Sequence, residues 1–293
     1  MTVLEPGFHP ARGWLNDPHG VVRHGGVYHL FFQHVPRSLT WQPGVSWGHA
    51  VSDDLEQWTE LPVALAPGAH EVGCWTGCVV VGPEGPTILY TSVAEPERDL
   101  GRIRAARPLD DGLVSWGRHD VVLDRPTGVE VFRDPFVRRE GNSWRMVVGA
   151  GLAGGVGAAL TYVSEDLRTW LYDGVLARGA DRSTGSIWEC PQLVDVEGVT
   201  TLVVSVHDGR DTQHVAAACG ELVDGRFEGG PWQQLTDGAP YAPTTFRDVE
   251  GRLVVIFWLR GMAGDGWAGA LSAPYLLGRE GSRLVLERRP VRG

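Results

Sequence analysis

Residues 51–61 read "VSDDLEQWTEL", and residues 162–176 read "YVSEDLRTWLYDGVL". Both place Ser, Asp and Leu in order, with Trp three positions after the Leu. Looser copies are "GLVSWGRHDVVL", around Trp116, and "GPWQQLTDG", around Trp232. The four Trp residues, at 58, 116, 170 and 232, recur every 54 to 62 residues. Short alternating apolar runs fill each interval, among them "GVYHLFFQH", "CVVVG", "PTILYTS" and "RLVVIFWLR". They have strand length and end on Gly, Pro, Asp or Asn. No helical pattern of twelve or more residues interrupts them. A period of this length, with about four strands in each, predicts an all-β propeller of four-stranded blades. The 293 residues accommodate five blades, read as one domain over 1–293. The repeated Trp residues are expected to pack between blades.

Composition narrows the function classes. The formal net charge is −10, which disfavours nucleic acid and anionic membrane surfaces as partners. Neutral ligands such as sugars remain compatible, and the 12 Trp residues suit sugar faces as well as a core. Cys74, Cys78, Cys190 and Cys219 lack zinc-finger spacing and are expected as reduced thiols. The ten His residues are scattered, and neither a metal nor a cofactor is expected. No apolar run is long enough for a membrane helix. The first residues, "MTVLEPGFHP", carry no secretory pattern, so a cytoplasmic location is expected. The terminal "RRPVR" reads as a solvated basic tail.

Three acidic motifs stand in step with the repeat: Asp17 in "WLNDPHG", Asp134 in "VFRDPFV" and Glu189 in "IWECPQL". They are separated by 117 and 55 residues, roughly two blades and one blade. Each alone is compatible with a turn, since Asn, Asp and Pro favour turns. In a propeller, matching positions of different blades converge on the central channel, so the three are expected to meet there. Retaining glycoside hydrolysis requires such carboxyl groups. One is an ionised nucleophile, and a second, about 5 Å away, is acid and then base. Glu189, between Trp188 and Cys190, suits the acid, because an apolar or like-charged setting favours the protonated form. Asp17, beside Asn16, suits the nucleophile. A third carboxylate can hold sugar hydroxyls and favour the developing positive charge.

These motifs together resemble glycoside hydrolase family 32, which contains invertases, fructan hydrolases and related fructosyltransferases. "YHLFFQHVPRSLTWQPGVSWGHAVSDDLEQW" and "DGAPYAPTTF" extend the resemblance over essentially the whole chain. The resemblance implies a five-bladed propeller with Asp17 as nucleophile, Asp134 as transition-state stabiliser and Glu189 as acid/base. It implies a fructosyl pocket lined by Asn16, Gln33, Trp41, Trp47, Trp75, Thr76, Arg133, Asp237 and Trp258. The implied substrates are terminal β-fructofuranosides: sucrose, a phosphorylated sucrose, short fructo-oligosaccharides or difructose compounds. The implied chemistry needs no metal or cofactor. The resemblance extends equally to a fructosyltransferase using the same acids. A sugar-binding propeller without catalysis would more readily have lost one of the three, and an arabinofuranosidase lacks "WxNDPxG" and "WGHA".

Two local departures bear on the pocket. His19 stands where the family usually has Asn, and "CWTG" at 74–77 where Phe-Ser-Gly is commoner. His9 and His19 are expected to flank the pocket. The family's second, β-sandwich domain is expected to be absent. "YLL" and "LVL" in the last blade are therefore expected to leave an apolar flank that favours a homo-oligomer.

Overall fold

A computed structural model describes residues 3–180 and 184–290. The described residues contain no α-helix. After β1 (Pro6–Phe8), the first blade holds β2 (Gly13–His24), β3 (Val27–Val35), β4 (Ser46–Ser52) and β5 (Thr59–Leu65). The second holds β6 (Gly73–Gly82), β7 (Gly85–Val93), β8 (Arg102–Pro108) and β9 (Trp116–Leu123). The third holds β10 (Val129–Glu140), β11 (Ser143–Leu152), β12 (Val156–Ser164) and β13 (Leu171–Arg178). The fourth holds β14 (Ile187–Val196), β15 (Val199–His207), β16 (Thr212–Val223), β17 (Arg226–Gly229) and β18 (Gln233–Gln234). The fifth holds β19 (Pro240–Arg247), β20 (Leu253–Gly264), β21 (Trp267–Ser272), β22 (Tyr275–Glu280) and β23 (Arg283–Arg288). Successive strands within a blade pair antiparallel, except that β17 and β18 both pair with β16, and β21 and β22 both pair with β20 and share the third place of the last blade.

The ring closes through the N-terminal residues. β1 pairs antiparallel with β21, and β2 runs parallel to β21 at Gly13 and Trp14. The first and last blades thereby become one continuous sheet. Their facing apolar side chains, including Leu15, Leu30, Ile256 and Leu271, form one buried cluster. Equivalent clusters fill each of the other four blade interfaces. Burial is thus spread around the ring, and no single central core carries it.

The repeated motif is the turn between the third and fourth strands of a blade. Ser52 accepts the Leu55 N–H at 2.8 Å, and Asp54 accepts the N–H groups of Glu56 and Gln57. Ser164 and Asp166 do the same for Leu167, Arg168 and Thr169. These bonds hold Leu55 and Leu167 at φ of +73° and +62°, a conformation unusual for a side chain larger than Gly. Burial of both Leu side chains offsets that strain. The looser copy at Trp116 makes the same turn through Asp110 and Leu113, whose φ is +55°. Trp58 and Trp116 each donate Nε1–H to the carbonyl of the Leu three residues earlier. Trp58, Trp116, Trp170 and Trp232 each sit against a different blade interface. The copy at Trp232 lacks the Leu turn; that ring packs on Trp188, with centroids 5.0 Å apart.

One sequence expectation needs correction here. Arg288 and Arg289 are not a solvated tail. The Arg288 guanidinium pairs with Glu56 at 2.6 Å. Arg289 is buried, with Asp248 at 3.2 Å and the Asp54 carbonyl at 3.0 Å. Both ions tie the last blade to the first. Val291 and Arg292 lie outside the described residues. In "YLL" and "LVL", Tyr275, Leu277 and Leu284 are buried, and Leu276, Val285 and Leu286 are half-buried, leaving part of their apolar surface on the last blade. All four Cys are free thiols.

Candidate active site

Every innermost strand breaks its pairing register at the same height. The shifts fall between Leu15 and Pro18, Trp75 and Gly77, Arg133 and Phe136, Glu189 and Gln192, and Tyr241 and Thr244. A bulge places an extra residue in the strand and re-aims its side chain. In three blades the bulge contains a Pro, at positions 135, 191 and 243, which has no N–H to lose from the ladder, and in the first blade Pro18 follows the bulge directly. Asp134, Cys190 and Ala242 sit at positive φ there, at +62°, +46° and +45°. Aligned on the residue before the Pro, with Thr76 in the second blade's bulge, Asp17, Thr76, Asp134, Cys190 and Ala242 form an inner ring. Asn16, Trp75, Arg133, Glu189 and Tyr241, one residue earlier, form a second ring around it. Glu189 therefore does not occupy the position matching Asp17 and Asp134, as its repeat spacing suggested. Cys190 does.

The inner ring is linked across blades. Thr76 donates its hydroxyl to Asp17 Oδ2 at 2.7 Å, and Asn16 Nδ2 donates to Oδ1 at 2.9 Å. Trp14 Nε1 fixes the Asn16 amide from behind at 3.0 Å. The Cys190 N–H donates to Asp134 Oδ2 at 3.0 Å, and its Sγ lies 3.6 Å from that oxygen and 3.8 Å from Asp17 Oδ2. Thr91 accepts the Asp134 N–H at 2.8 Å and donates to the Thr76 carbonyl. In the second ring, Tyr241 donates its hydroxyl to Glu189 Oε2 at 2.7 Å. Arg133 Nη1 lies 3.4 Å from Glu189 Oε1, and its guanidinium covers the Trp75 ring with 5.0 Å to the centroid.

All three acids open into one cavity of about 480 Å³. Asn16, Gln33, Trp41, Trp75, Thr76, Arg133 and Trp258 line it with them. Two predicted pocket residues do not. Trp47 is fully buried behind the wall, donating Nε1–H to the Trp75 carbonyl at 3.0 Å. Asp237 is exposed in the segment before β19, outside the lining. His19 is also behind the wall, packed on Trp47 and within 3.2 Å of Gln33 Nε2. His9 stacks on Trp267 away from the cavity. Trp14, His207, Arg210, Thr212 and Tyr241 line the cavity without having been singled out. Tyr241 had a usable signal: "YAP" repeats the spacing of "ECP". Among the described residues, no group of His, Cys, Asp or Glu could hold a metal ion. None of them forms a helix able to cross a membrane.

Burial and the crowding of acids shift the protonation of Asp17 and Asp134. Burial pushes Asp17 above the usual carboxylate range, the Glu189 charge adds to this, and the Thr76 and Asn16 bonds pull it back. Asp134 is raised to about 7, by burial first and then by Glu189, against the pull of Arg133. Burial and the adjacent acids also push the Cys190 thiol far up, so it stays protonated. The pocket thus keeps a proton near neutrality, a property of the coupled set.

A stability prediction follows from the raised Asp134. In the unfolded chain an Asp ionises near 3.9. Between about pH 4 and pH 7 the folded state therefore holds the extra proton, and stability falls as pH rises through that window. Asp134→Asn removes this dependence. The variant should equal the wild type near pH 4 and exceed it by about 2–4 kcal/mol at pH 8. Its activity should fall about 10²–10³-fold. Melting curves across pH test the first claim; a difference independent of pH would contradict it.

Comparison with known proteins places this five-bladed propeller and its three converging carboxyl groups in a family. The profile of the glycosyl hydrolases family 32 N-terminal domain matches residues 7–287, and the chain belongs to this family. It is 33% identical to the sucrose-6-phosphate hydrolase of Escherichia coli over 315 residues, which cover 99% of this chain and 65% of that protein. It is 37% identical to wheat (Triticum aestivum) fructan 6-exohydrolase over 66% of this chain and 35% of that protein. The structure superposes on a Bombyx mori β-fructofuranosidase of the family in complex with sucrose with a TM-score of 0.87. There the identity is 28%, and coverage is 97% of this chain and 65% of that one. The chain therefore spans just under two thirds of the length of the Escherichia coli and Bombyx mori relatives, and the match to the wheat enzyme covers about a third of that protein.

Proposed function

We propose that the chain is a retaining glycoside hydrolase that releases terminal β-fructofuranosyl units from sucrose, short fructo-oligosaccharides or difructose compounds, with 1–293 acting as one catalytic domain. The observation that carries this reading is the division of labour within one cavity. Asp17 has a short hydrogen bond on each oxygen, at 2.7 and 2.9 Å, whereas Glu189 has one short bond, from Tyr241 at 2.7 Å, with Arg133 held off at 3.4 Å from its other oxygen. Two donors favour a carboxylate oriented for attack. Asp17 attacks the anomeric carbon as Glu189 protonates the leaving oxygen. Glu189 then takes a proton from water, which displaces Asp17 and restores the original configuration. Asp134 faces the same space and, when ionised, favours the positive charge that develops on the ring. Trp41, Trp75 and Trp258 offer flat apolar faces to the sugar.

The relatives support the substrate class: one is named a sucrose-6-phosphate hydrolase, and a solved neighbour holds sucrose. A cavity of about 480 Å³ lies within the range of small-molecule sites and suits a terminal fructosyl unit with one or two further sugars. The test is to incubate the protein with sucrose, 1-kestose, inulin and a difructose compound and to chromatograph the products. Free fructose released fastest from the small substrates is expected. Longer fructosyl chains made from concentrated sucrose would favour transfer over hydrolysis, and binding without turnover of any fructoside would contradict the enzymatic reading.

A further inference from the structure

We propose that Asp99, on the connection between β7 and β8, is a positioning residue that holds the Arg133 guanidinium back from Glu189 and so preserves the acid form of that residue. The inference rests on the reading of Glu189 as the acid/base. Arg133 is shared between two carboxylates. Its Nη2 meets Asp99 Oδ1 at 2.6 Å, while its Nη1 lies 3.4 Å from Glu189 Oε1. A full charge-assisted bond lies near 2.7–2.9 Å, so the pairing with Asp99 is complete and that with Glu189 is not. Asp99 is itself anchored. Its carbonyl accepts the Phe132 N–H at 3.0 Å, and Leu100 bridges Phe132 in parallel register. The acid is thus fixed to the strand that carries Arg133, immediately beside it in sequence. The Trp75 ring limits the guanidinium from below.

The Asp99 side chain is 68% exposed and that of Arg133 only 12%. Asp99 stays solvated whether or not it is paired, so its ionisation costs the fold little, and what the contact changes is where the Arg133 charge sits. An arginine closed fully onto Glu189 would favour the carboxylate and oppose proton donation. The remaining groups around Glu189 are Asp17, Asp134, Cys190 and the Tyr241 hydroxyl, with His207 and Arg210 on the cavity wall. Arg260 lies over the Tyr241 ring and is engaged by the Thr212 and Gln213 carbonyls. Near Asp99, Glu95 and Arg98 pair with each other. Arg133 is the cation in direct contact with Glu189 among the described residues. Removing the Asp99 charge acts twice in one direction: it deletes a nearby negative charge and frees Arg133 to approach Glu189.

The experiment is the pH dependence of kcat/KM on sucrose for the wild type, Asp99→Asn, Asp99→Glu and Glu189→Ala. The alkaline limb should move down by about half to one pH unit in Asp99→Asn. It should return in Asp99→Glu, with melting temperatures unchanged throughout. A merely structural role would alter stability or KM and leave the limb in place. An unmoved limb in Asp99→Asn, or no return in Asp99→Glu, overturns the proposal. If Glu189→Ala keeps the wild-type limb, the reading of Glu189 fails first and the inference fails with it. A limb lost in Glu189→Ala but unmoved in Asp99→Asn removes this inference alone.

Discussion

Replacing Asp17 with Asn should reduce kcat on sucrose by about 10⁴-fold or more, because loss of a nucleophile removes the bond-forming step itself. The fold should survive. Thr76 and Asn16 surround the side chain with hydrogen-bonding groups that an amide also satisfies after a modest rotation, and the variant no longer buries a charge. Melting temperature should therefore hold or rise above neutral pH while turnover disappears. A variant retaining more than a few per cent of the wild-type rate would show that Asp17 is a turn residue or a binding group.

Glu189→Ala should separate substrates by leaving group. A sugar alkoxide leaves poorly without a proton, and general acid catalysis contributes about 10²–10⁴-fold to such steps. The loss on sucrose should reach that range, whereas an aryl fructoside with an activated leaving group should lose far less in the first step. The acid acts in its protonated form, so the wild-type rate falls as pH rises through its apparent ionisation. The alanine variant lacks that group and should lack the alkaline limb. The Tyr241 hydroxyl, left without its carboxylate partner, retains the Val206 carbonyl at 3.2 Å. Equal losses on both substrates, with the limb intact, would identify another residue as the acid.

The propeller was legible because its repeat is a local device. Ser52, Asp54 and Leu55 make their turn with neighbours in sequence, and so do Ser164, Asp166 and Leu167. The three acids were legible for a related reason: each stands at the bulge of an innermost strand, and the bulge recurs with the blade. What the repeat spacing could not supply was the phase within the bulge. Glu189 and Cys190 differ by one residue in sequence, but they fall on different rings. Trp47 and Trp75 are both aromatic residues in site-bearing blades; only the register of β4 against β5 and the carbonyl of Trp75 turn Trp47 inward. Arg288 and Arg289 resembled a tail because their partners are distant in sequence: Asp248 lies across the same blade, and Glu56 and Asp54 of the first blade meet them only when the ring closes.

The central claim is that Asp17 bonds covalently to the fructosyl unit. Glu189→Ala provides the condition to test it, since an activated aryl fructoside can still load the nucleophile while the water step lacks its base. The protein should be mixed with that substrate, quenched in acid, digested and mapped by mass spectrometry. A fructosyl ester on the peptide carrying Asp17, absent when Asp17→Asn is added, is the predicted result. An adduct on Asp134, or turnover that inverts the anomeric configuration without any adduct, would contradict the account.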